Sequence, residues 1–276
     1  MTGTLLSFSV MAVSIRGLAG TLSIMEILAM RSALGLVIIA ATMALRPHLR
    51  QDINLKQIRL HFVRNAMHFL GQFLWSNSLL LLPLATVFAL EFTMPAWTML
   101  LAVLLLGERL TRSRVGAVIL GLIGVLVILR PGIETFRPAS LLVLGAALAF
   151  AASLVATKKL TLTQTTMAIV FWMNVIQLPM GLAGSDPLFV LKLSQHQILP
   201  VIGLGIAGTS AHFCLANAFR SGDATVVVPL DFLRIPLIAF VGWWLYGEAI
   251  DAIVFLGAGI IVSGVLWNLH AESRRH

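Results

Sequence analysis

The chain of 276 residues is 59% hydrophobic and only 11% charged, and its formal net charge is +8. Soluble domains carry about 25% charged residues, so this composition excludes a soluble globular protein and indicates a polytopic membrane protein. The basic residues stand in small groups between apolar stretches, which is typical of membrane-protein loops and excludes a continuous face that binds nucleic acid.

Ten apolar stretches follow one another along the chain, each close to the roughly 20 residues that cross a bilayer as a helix. The alternating pattern of barrel strands is absent, so the spanning elements are predicted to be helices. Since no basic residue precedes Arg16, the first stretch is predicted to be a retained helix rather than a cleaved signal peptide. The stretches cover residues 2–19, 24–45, 58–82, 84–106, 112–130, 139–157, 164–184, 197–218, 224–246 and 252–269.

The distribution of Lys and Arg predicts the orientation of these helices. With the N-terminus in the cytoplasm, twelve of the nineteen basic residues lie in inside loops or in the tail, and four lie in outside loops. The other three, Arg31, Arg64 and Arg234, fall within apolar stretches. Because basic loops stay in the cytoplasm, both termini are predicted to be cytoplasmic, in a multi-pass protein of the cell inner (plasma) membrane.

An internal repeat relates the two halves of the chain at an offset of 140 residues. Each half holds five helices, so the second half enters the membrane from the opposite side, which is a signature of secondary transporters. The matched pairs are Asn77 with Asn217, Glu91 with Asp231, Glu108 with Glu248 and Gly124 with Gly264. We predict an all-α integral membrane fold of ten transmembrane helices, arranged as two inverted five-helix repeats at residues 1–132 and 133–270 and followed by a cytoplasmic tail at 271–276.

The two matched acids lie inside the membrane in this arrangement. Glu91 and Asp231 are each about seven residues inside a predicted helix, which places them ~10 Å deep on opposite sides of the midplane. An ionised group at the centre of the bilayer costs ~3 kcal/mol or more, so it normally faces a cavity or a partner. Asp231 and Arg234 share one helix face. They form either a self-neutralising pair that stiffens the helix or a site in which Arg234 binds an anionic substrate group.

The other acid, Glu91, has no cation within one helical turn, so its partner is predicted to come from another helix: Arg31, His68 or His212. Burial favours the neutral form of a carboxyl group, which makes Glu91 a candidate proton carrier in a transport cycle and protons a candidate partner. The alternative is a neutral Glu91 whose hydrogen bonds hold helices together.

Further polar and aromatic side chains mark the predicted cavity. The third helix carries a polar stripe at helical spacing, Asn65, His68, Gln72 and Ser76, which would be unsatisfied against lipid. Each histidine is either a ligand or a structural hydrogen-bonding group, and each aromatic ring either stacks on a planar substrate or packs in the protein. Other candidates are Asn77, Trp97, Phe171, Trp172, Asn174, Gln177, His212 and Asn217, beside a small-residue face of Gly205, Gly208 and Ala216 that permits close packing or leaves room for substrate.

Two further patterns are predicted to be structural. Glu108 and Glu248 stand at helix ends, where they are expected to bond loop amides or basic residues. Pro95 and Pro236 are expected to interrupt the backbone hydrogen bonds of the fourth and ninth helices. Kinks of this kind suit moving parts, although many membrane prolines only bend a helix.

Two long stretches resemble the EamA-type ten-helix transporters of the drug/metabolite transporter (DMT) superfamily: LLPLATVFALEFTMPAWTMLLAVLLLGERLTRSRVGAVILGLIGVLVI and its echo DATVVVPLDFLRIPLIAFVGWWLYGEAIDAIVFLGAGIIVSGV. The Gly-Glu that ends the fourth and ninth helices belongs to this resemblance, and so does Arg31 in the second helix. The resemblance implies a central cavity bounded by helices 1–4 and 6–9, with helices 5 and 10 at the periphery. The PLDFLRIPL stretch is similar to a branch that includes predicted riboflavin and S-adenosylmethionine carriers.

The motifs of other membrane-protein classes are absent from the sequence. It holds no protease motif of the Gly-x-Ser-Gly or Gly-x-Gly-Asp type, no cluster at metal-ligand spacing and no phosphate-binding loop. We therefore predict no enzyme, no metal and no cofactor. The predicted function is a secondary transporter that moves a small organic metabolite, amino-acid-, vitamin- or nucleoside-like, across the cytoplasmic membrane by alternating access. The alternatives are a passive channel or facilitator and, less favoured, an intramembrane enzyme.

Overall fold

The computed structural model describes residues 1–18, 20–78, 81–82, 84–130, 138–237, 240, 244 and 252–274. Helices make up most of this part of the chain, and it holds no β-strand. The prediction of an all-α protein is therefore confirmed for the described ranges. Four helices are long and apolar enough to cross a membrane, namely Ile24–Leu45, Ser140–Thr161, Gln195–Ser221 and Ile253–Ser273.

The helix bounds follow most of the predicted apolar stretches. In the first half they are α1 (Thr2–Leu18), α2 (Ile24–Leu45), α3 (Ile58–Ser78), α4 (Leu84–Glu91), α5 (Met94–Leu106) and α6 (Arg112–Leu129). In the second half they are α7 (Ser140–Thr161), α8 (Thr166–Leu182), α9 (Ile198–Ser221), α10 (Ala224–Val227) and α11 (Ala252–Ser273). Short 3-10 helices occupy Pro47–Asp52, Phe189–Lys192, Gln195–Gln197 and Val228–Leu233.

The fourth predicted stretch is not a single helix, because the chain is interrupted between α4 and α5 at Phe92 and Thr93. Pro95 accounts for the interruption, since it has no N–H to donate to the Glu91 carbonyl and its ring would clash with that carbonyl. It lies instead in the first turn of α5, where proline is favoured. The predicted interruption at Pro95 is confirmed, and it falls directly after Glu91.

The ninth predicted stretch is also irregular where its acid lies. The short helix α10 continues into the 3-10 helix Val228–Leu233, which begins near Pro229 and holds Asp231. The backbone is α-helical again at residues 234–237, which include Pro236. Most of residues 238–251, and with them the predicted helix-end contact of Glu248, lie outside the described residues.

The outer faces of the described helices are apolar. Leu104 on α5, Leu199 on α9 and Phe255 on α11 are 68%, 78% and 69% exposed. Water-soluble proteins rarely expose extended apolar surface, whereas such side chains contact lipid tails in a bilayer. The exposed side chains therefore support a membrane-embedded chain.

The described residues form two compact units, and each unit draws on both predicted repeats. Unit 1 comprises residues 1–69 and 156–221, and unit 2 comprises residues 70–155 and 222–276. In unit 1, α1 packs on α9, and α2 packs on both α8 and α9. In unit 2, the main helix pair is α6 with α11. The buried core of unit 1 includes Leu18, Ile27, Ala29, Met30 and Leu204, and that of unit 2 includes Phe92, Val125, Phe232, Ile235 and Ile261.

The contact between α6 and α11 depends on glycines on both helices. A Cβ atom at Gly124 would lie 2.7 Å from the Gly257 carbonyl oxygen, and one at Gly257 would lie 2.8 Å from the Gly124 carbonyl oxygen. Two helix backbones approach this closely only where small residues face each other. Gly259, on the same helix as Gly257, has open space around its Cβ position.

We expect the substitution Gly257→Ala to lower the unfolding temperature of the detergent-purified protein. The added methyl group forces α6 and α11 apart, and overpacking of this kind typically costs about 1–3 kcal/mol. The matched control is Gly259→Ala, which adds the same group in open space and should keep or raise the unfolding temperature, because alanine favours helix over glycine by about 1 kcal/mol. An equal or higher unfolding temperature for Gly257→Ala than for Gly259→Ala would contradict this packing.

Candidate functional site

Three ionisable side chains meet inside unit 2, and we call Glu91, Asp231 and Arg234 the carboxylate–arginine triad. Arg234 Nη2 donates to Glu91 Oε1 at 3.2 Å and lies 3.1 Å from Asp231 Oδ2. Trp75 Nε1 donates to the second oxygen of the Glu91 carboxylate, Oε2, at 2.7 Å. Both acids are buried, at 7% and 8% exposure. One guanidinium therefore binds two carboxylates that are both largely shielded from water.

This geometry corrects the predicted environment of Glu91. The prediction of Arg31, His68 or His212 as its ion partner is wrong, since Arg234 is that partner. Glu91 is the last residue of α4, and Arg234 directly follows the 3-10 helix, so the two irregular backbone segments bring these side chains together. The predicted pairing of Asp231 with Arg234 forms, but Glu91 binds the same arginine.

The phenylalanine that follows each acid completes the surroundings of the triad. The rings of Phe92 and Phe232 stack, with centroids 5.8 Å apart and an interplanar angle of 27°. Arg234 Cζ lies 5.1 Å from the centroid of the Phe92 ring, which is within the range of a cation–π interaction. The repeated acid-Phe pattern thus places two carboxylates and a stacked aromatic pair around one guanidinium.

A second polar group lies inside unit 1, and we call Arg31, Arg64, His68 and His212 the arginine–histidine cluster. Arg31 is 3%, Arg64 2% and His212 5% exposed. Edge-on contact joins the rings of His68 and His212, with centroids 5.1 Å apart. Arg64 Nη2 lies 3.5 Å from His212 Nδ1, and Arg64 Nε donates to Thr157 Oγ1 at 3.0 Å.

Two buried amides, Asn65 and Gln177, link the members of this cluster. Arg31 Nη2 donates to Gln177 Oε1 at 2.6 Å, and Arg64 Nη1 donates to Asn65 Oδ1 at 2.6 Å. Gln177 Nε2 donates to Asn65 Oδ1 at 3.0 Å and lies 3.1 Å from His68 Nδ1. A continuous chain of hydrogen bonds therefore connects the two arginines through uncharged side chains.

Four helices position the arginine–histidine cluster. Arg31 lies on α2, Arg64 and His68 lie one turn apart on α3, Gln177 lies on α8 and His212 lies on α9.

The predicted small-residue face of α9 packs closely against α2. A Cβ atom at Gly208 would lie 2.8 Å from the Cγ atom of Arg31, and a Cβ atom at Gly205 would lie 2.8 Å from the Cβ atom of Leu34. Glycine at these positions lets the arginine side chain lie along α9.

Three predicted site amides lie outside both polar clusters in the part of the chain that the structure describes. Asn77 and Asn174 each donate a side-chain N–H to the backbone carbonyl four residues earlier in their own helix, both at 2.8 Å. Asn217 is exposed and accepts a hydrogen bond from Thr166 Oγ1 at 2.8 Å. These contacts satisfy the amides within or between neighbouring helices and bring none of them into either polar cluster.

The remaining predicted site residues differ in their surroundings. Trp172 Nε1 donates to the Asn54 carbonyl oxygen at 3.2 Å, which fixes the ring beside the segment before α3. Gln72 Oε1 and Trp97 Nε1 are buried without a hydrogen-bond partner in the part of the chain that the structure describes. Trp97 also lines an apolar groove of unit 2 together with Leu122 and Leu144.

The site residues missed by the sequence analysis are Arg64, Trp75 and Thr157. Arg64 carried a signal, because it is one of three arginines that lie at least six residues from either end of an apolar stretch, and all three lie in the two polar clusters. Trp75 and Thr157 carried none, since tryptophan and threonine are common in apolar helices. In the described ranges, no three His, Cys, Asp or Glu side chains come together as a metal site needs.

The predicted structural role of Glu108 is confirmed. Its two carboxylate oxygens accept hydrogen bonds from the backbone N–H groups of Ala224 and Thr225 at 2.8 and 2.9 Å. These are the first amides of α10, which have no partner within the helix. Arg114 reaches the same place, donating to Thr225 Oγ1 at 2.7 Å. The start of the segment that carries Asp231 is therefore fixed by side chains of unit 2.

Comparison with known proteins gives a consistent result. The sequence matches the EamA-like transporter family over residues 1–130 and 137–269. The S-adenosylmethionine uptake transporter of Rickettsia felis is 28% identical over 221 residues, which cover 79% of this chain and 75% of that protein. The riboflavin transporter of Rhizobium johnstonii is 33% identical over 217 residues, which cover 78% of this chain and 71% of that protein.

A solved crystal structure shares the fold. It superposes with a TM-score of 0.81 over 100% of this chain and 96% of its own, at 17% sequence identity. The family match extends over nearly the whole sequence, and both relatives are similar over more than two thirds of it. This chain therefore belongs to the EamA-like transporter family.

Proposed function

We propose that this protein moves a small organic metabolite, amino-acid-, vitamin- or nucleoside-like, across the cytoplasmic membrane by alternating access. As a member of its family it is a small-metabolite transporter and not an enzyme. The two relatives are named for S-adenosylmethionine uptake and for riboflavin transport, and both of these compounds are small organic molecules. Their names support a substrate of this size for the present chain.

The proposed architecture is ten transmembrane helices in two inverted five-helix repeats, at residues 1–132 and 133–270, with both termini cytoplasmic. Its support is the helical backbone in the described part of each predicted stretch and the excess of Lys and Arg in the predicted inside loops. Transporters with inverted repeats place their sites near the midplane, at interrupted helices. The bacterial relatives support a place in the inner membrane.

The observation that carries the proposed mechanism is the carboxylate–arginine triad. Both acids lie where a helix is irregular, and both bind the guanidinium of Arg234. Protonation of Glu91 would weaken its attraction to Arg234 and leave that arginine to Asp231 alone. A change in proton occupancy would therefore redistribute ion pairs between α4 and the 3-10 helix. We propose Glu91 as the proton carrier of a coupled transport cycle.

The predicted binding residues divide into two groups. We retain the triad together with Arg31, His68 and His212, whose polar atoms take part in networks of hydrogen bonds and ion pairs. Gln72 and Trp97 remain candidates because each holds a buried polar atom without a described partner. The other four predicted residues form hydrogen bonds outside both polar clusters, which favours structural roles for Asn77, Asn174, Asn217 and Trp172.

The test of the proposed function is the unfolding temperature of the detergent-purified protein against a panel of amino acids, vitamins and nucleosides. A ligand at 100 times its dissociation constant should stabilise the folded state by about 2.7 kcal/mol. The same panel is applied to Glu91→Gln and Asp231→Asn. We expect at least one metabolite to stabilise the wild type and to stabilise one of the two variants less. Equal stabilisation of all three proteins would contradict a role for the triad in substrate binding.

A further inference from the structure

We infer that the arginine–histidine cluster of unit 1 binds a carboxylate group of the transported metabolite. This inference rests on the proposed function, because it names the chemical group by which a substrate would be recognised. It concerns Arg31 above all, since this guanidinium has fewer hydrogen bonds within the protein than Arg64. Four observations support it, and they concern charge, hydrogen-bond direction, unpartnered donors and the contrast with unit 2.

The first observation is the missing negative charge. Within the described part of unit 1, neither Arg31 nor Arg64 forms an ion pair, so no carboxylate oxygen lies within 4.0 Å of the nitrogen atoms of either guanidinium. Unit 1 has eleven Lys and Arg residues against three acids, which are Glu26, Asp52 and Asp186. Glu26 and Asp186 bind Lys192, and Asp52 ends the 3-10 helix after α2. Two guanidinium groups are therefore buried without a described counter-charge, which is strongly unfavourable unless a ligand provides one.

The second observation is the direction of the hydrogen bonds. A guanidinium can only donate, so the oxygens of Asn65 and Gln177 that contact the arginines must be acceptors, which fixes both amide orientations. Gln177 Nε2 is then a donor to His68 Nδ1, and Arg64 Nη2 is a donor to His212 Nδ1. Each imidazole, accepting at Nδ1, carries its proton on Nε2. The two guanidinium cations are thus donors only, and the acceptors of the network, which are the amide oxygens and the imidazole Nδ1 atoms, are already used.

The third observation is that donors are left over. Arg31 Nε and His212 Nε2 are both buried and have no hydrogen-bond partner among the described residues. By the argument above, both atoms carry a hydrogen. A buried donor without an acceptor is unfavourable, and an anionic oxygen is the strongest acceptor that a ligand can offer. What the cluster lacks is therefore an acceptor with negative charge.

The fourth observation is a contrast within the protein. In unit 2 the partly buried Arg234 meets two carboxylates of the chain itself. Among the described residues of unit 1, the side chains that accept hydrogen bonds from the two buried arginines are all neutral. An arginine whose purpose is structural can be neutralised by an acid of the same chain, as Arg234 is. A carboxylate from the substrate would play the same part for Arg31, with two parallel hydrogen bonds to its guanidinium.

The experiment measures the unfolding temperature of the detergent-purified protein with pairs of probes, in which a carboxylate is compared with the neutral amide of the same carbon skeleton. The pairs are sodium nicotinate against nicotinamide and sodium acetate against acetamide, and each amide is supplemented with sodium chloride at the concentration of the carboxylate salt. We expect the carboxylates to raise the unfolding temperature of the wild type more than the amides do. Equal shifts within both pairs would overturn the inference, since chloride would then serve as well as a carboxylate.

The variant Arg31→Gln should weaken the apparent affinity for nicotinate at least about tenfold, because it removes a charged donor. The matched control is Arg59→Gln, an exposed arginine on α3, which should keep the affinity of the wild type. Unchanged affinity in Arg31→Gln would overturn the inference. If that variant does not fold, Arg31→Lys replaces it, and its affinity should fall several-fold because lysine lacks the planar fork. Unchanged affinity in Arg31→Lys would count equally against the cluster.

These binding measurements need no transport, so they separate the inference from the proposed function. Carboxylate binding that depends on Arg31, in a protein that moves no metabolite in liposomes, would support the cluster and contradict the proposed transport. Transport of a metabolite by a protein that shows no preference for carboxylates would support the proposed transport and contradict carboxylate binding by the cluster.

Discussion

Replacing Arg234 with methionine should destabilise the protein by about 3–5 kcal/mol, because it leaves Glu91 and Asp231 buried without a cation. The Phe92 ring would also lose the guanidinium that lies over its face. The measurement is the unfolding temperature in detergent, which should fall by many degrees. The exposed Arg112 provides the matched control, since Arg112→Met removes the same charge from a surface position.

The triple variant Arg234→Met, Glu91→Gln, Asp231→Asn shows whether charge is the cause. If the loss comes from uncompensated carboxylates, neutralising both acids should recover most of the lost stability, since buried ion clusters can often be replaced by neutral groups. Accumulation of substrate driven by a pH difference should be absent from the triple variant, because the proposed coupling groups are gone. A triple variant no more stable than Arg234→Met would contradict this account and assign the effect to packing of the arginine side chain.

The substitution Glu91→Gln should abolish the pH dependence of transport while leaving substrate exchange intact. Glutamine has nearly the shape of glutamate but cannot take up a proton, and it keeps one of the two acceptor oxygens that Trp75 and Arg234 contact. In liposomes, a difference of about one pH unit supplies about 1.4 kcal/mol per proton, enough for about tenfold accumulation of substrate. The wild type should approach that ratio with one coupled proton, whereas the variant should only equilibrate its substrate.

The variant Trp75→Phe tests the specificity of that result, because it removes a hydrogen bond to Glu91 and keeps the carboxyl group. We expect accumulation driven by the pH difference to persist in it. Accumulation that survives in Glu91→Gln would exclude Glu91 as the proton carrier and direct attention to Asp231.

The sequence was informative where a pattern is local. Apolar length and the Lys and Arg distribution predict the helices, and most observed bounds lie within a few residues of the predicted ones. Proline chemistry predicts the interruption before Pro95. The acid-Phe repeat singled out Glu91 and Asp231 because a carboxylate in an apolar run is unfavourable without a partner.

The sequence was uninformative where the answer depends on which helix faces meet. Nothing local to Glu91 identifies Arg234 as its partner, because the two residues lie 143 positions apart. The same limit applies to Trp75, which is an ordinary aromatic residue in an apolar helix until its N–H is seen to reach a carboxylate. Arg64 is the intermediate case, since its place in an apolar stretch indicated a buried role and only the structure shows its partners.

The central claim is that this chain carries a small metabolite by alternating access, and counterflow tests it most directly. Purified protein is placed in liposomes loaded with a high concentration of an unlabelled metabolite that stabilises it, and a trace of the labelled compound is added outside. A carrier should accumulate label transiently above its outside concentration. Each unlabelled molecule that is carried out leaves the binding site facing outwards, where it can bind a labelled molecule and carry it in. Label that only rises to equilibrium would contradict a carrier and indicate a passive channel, and recovery of a chemically altered compound would indicate an enzyme.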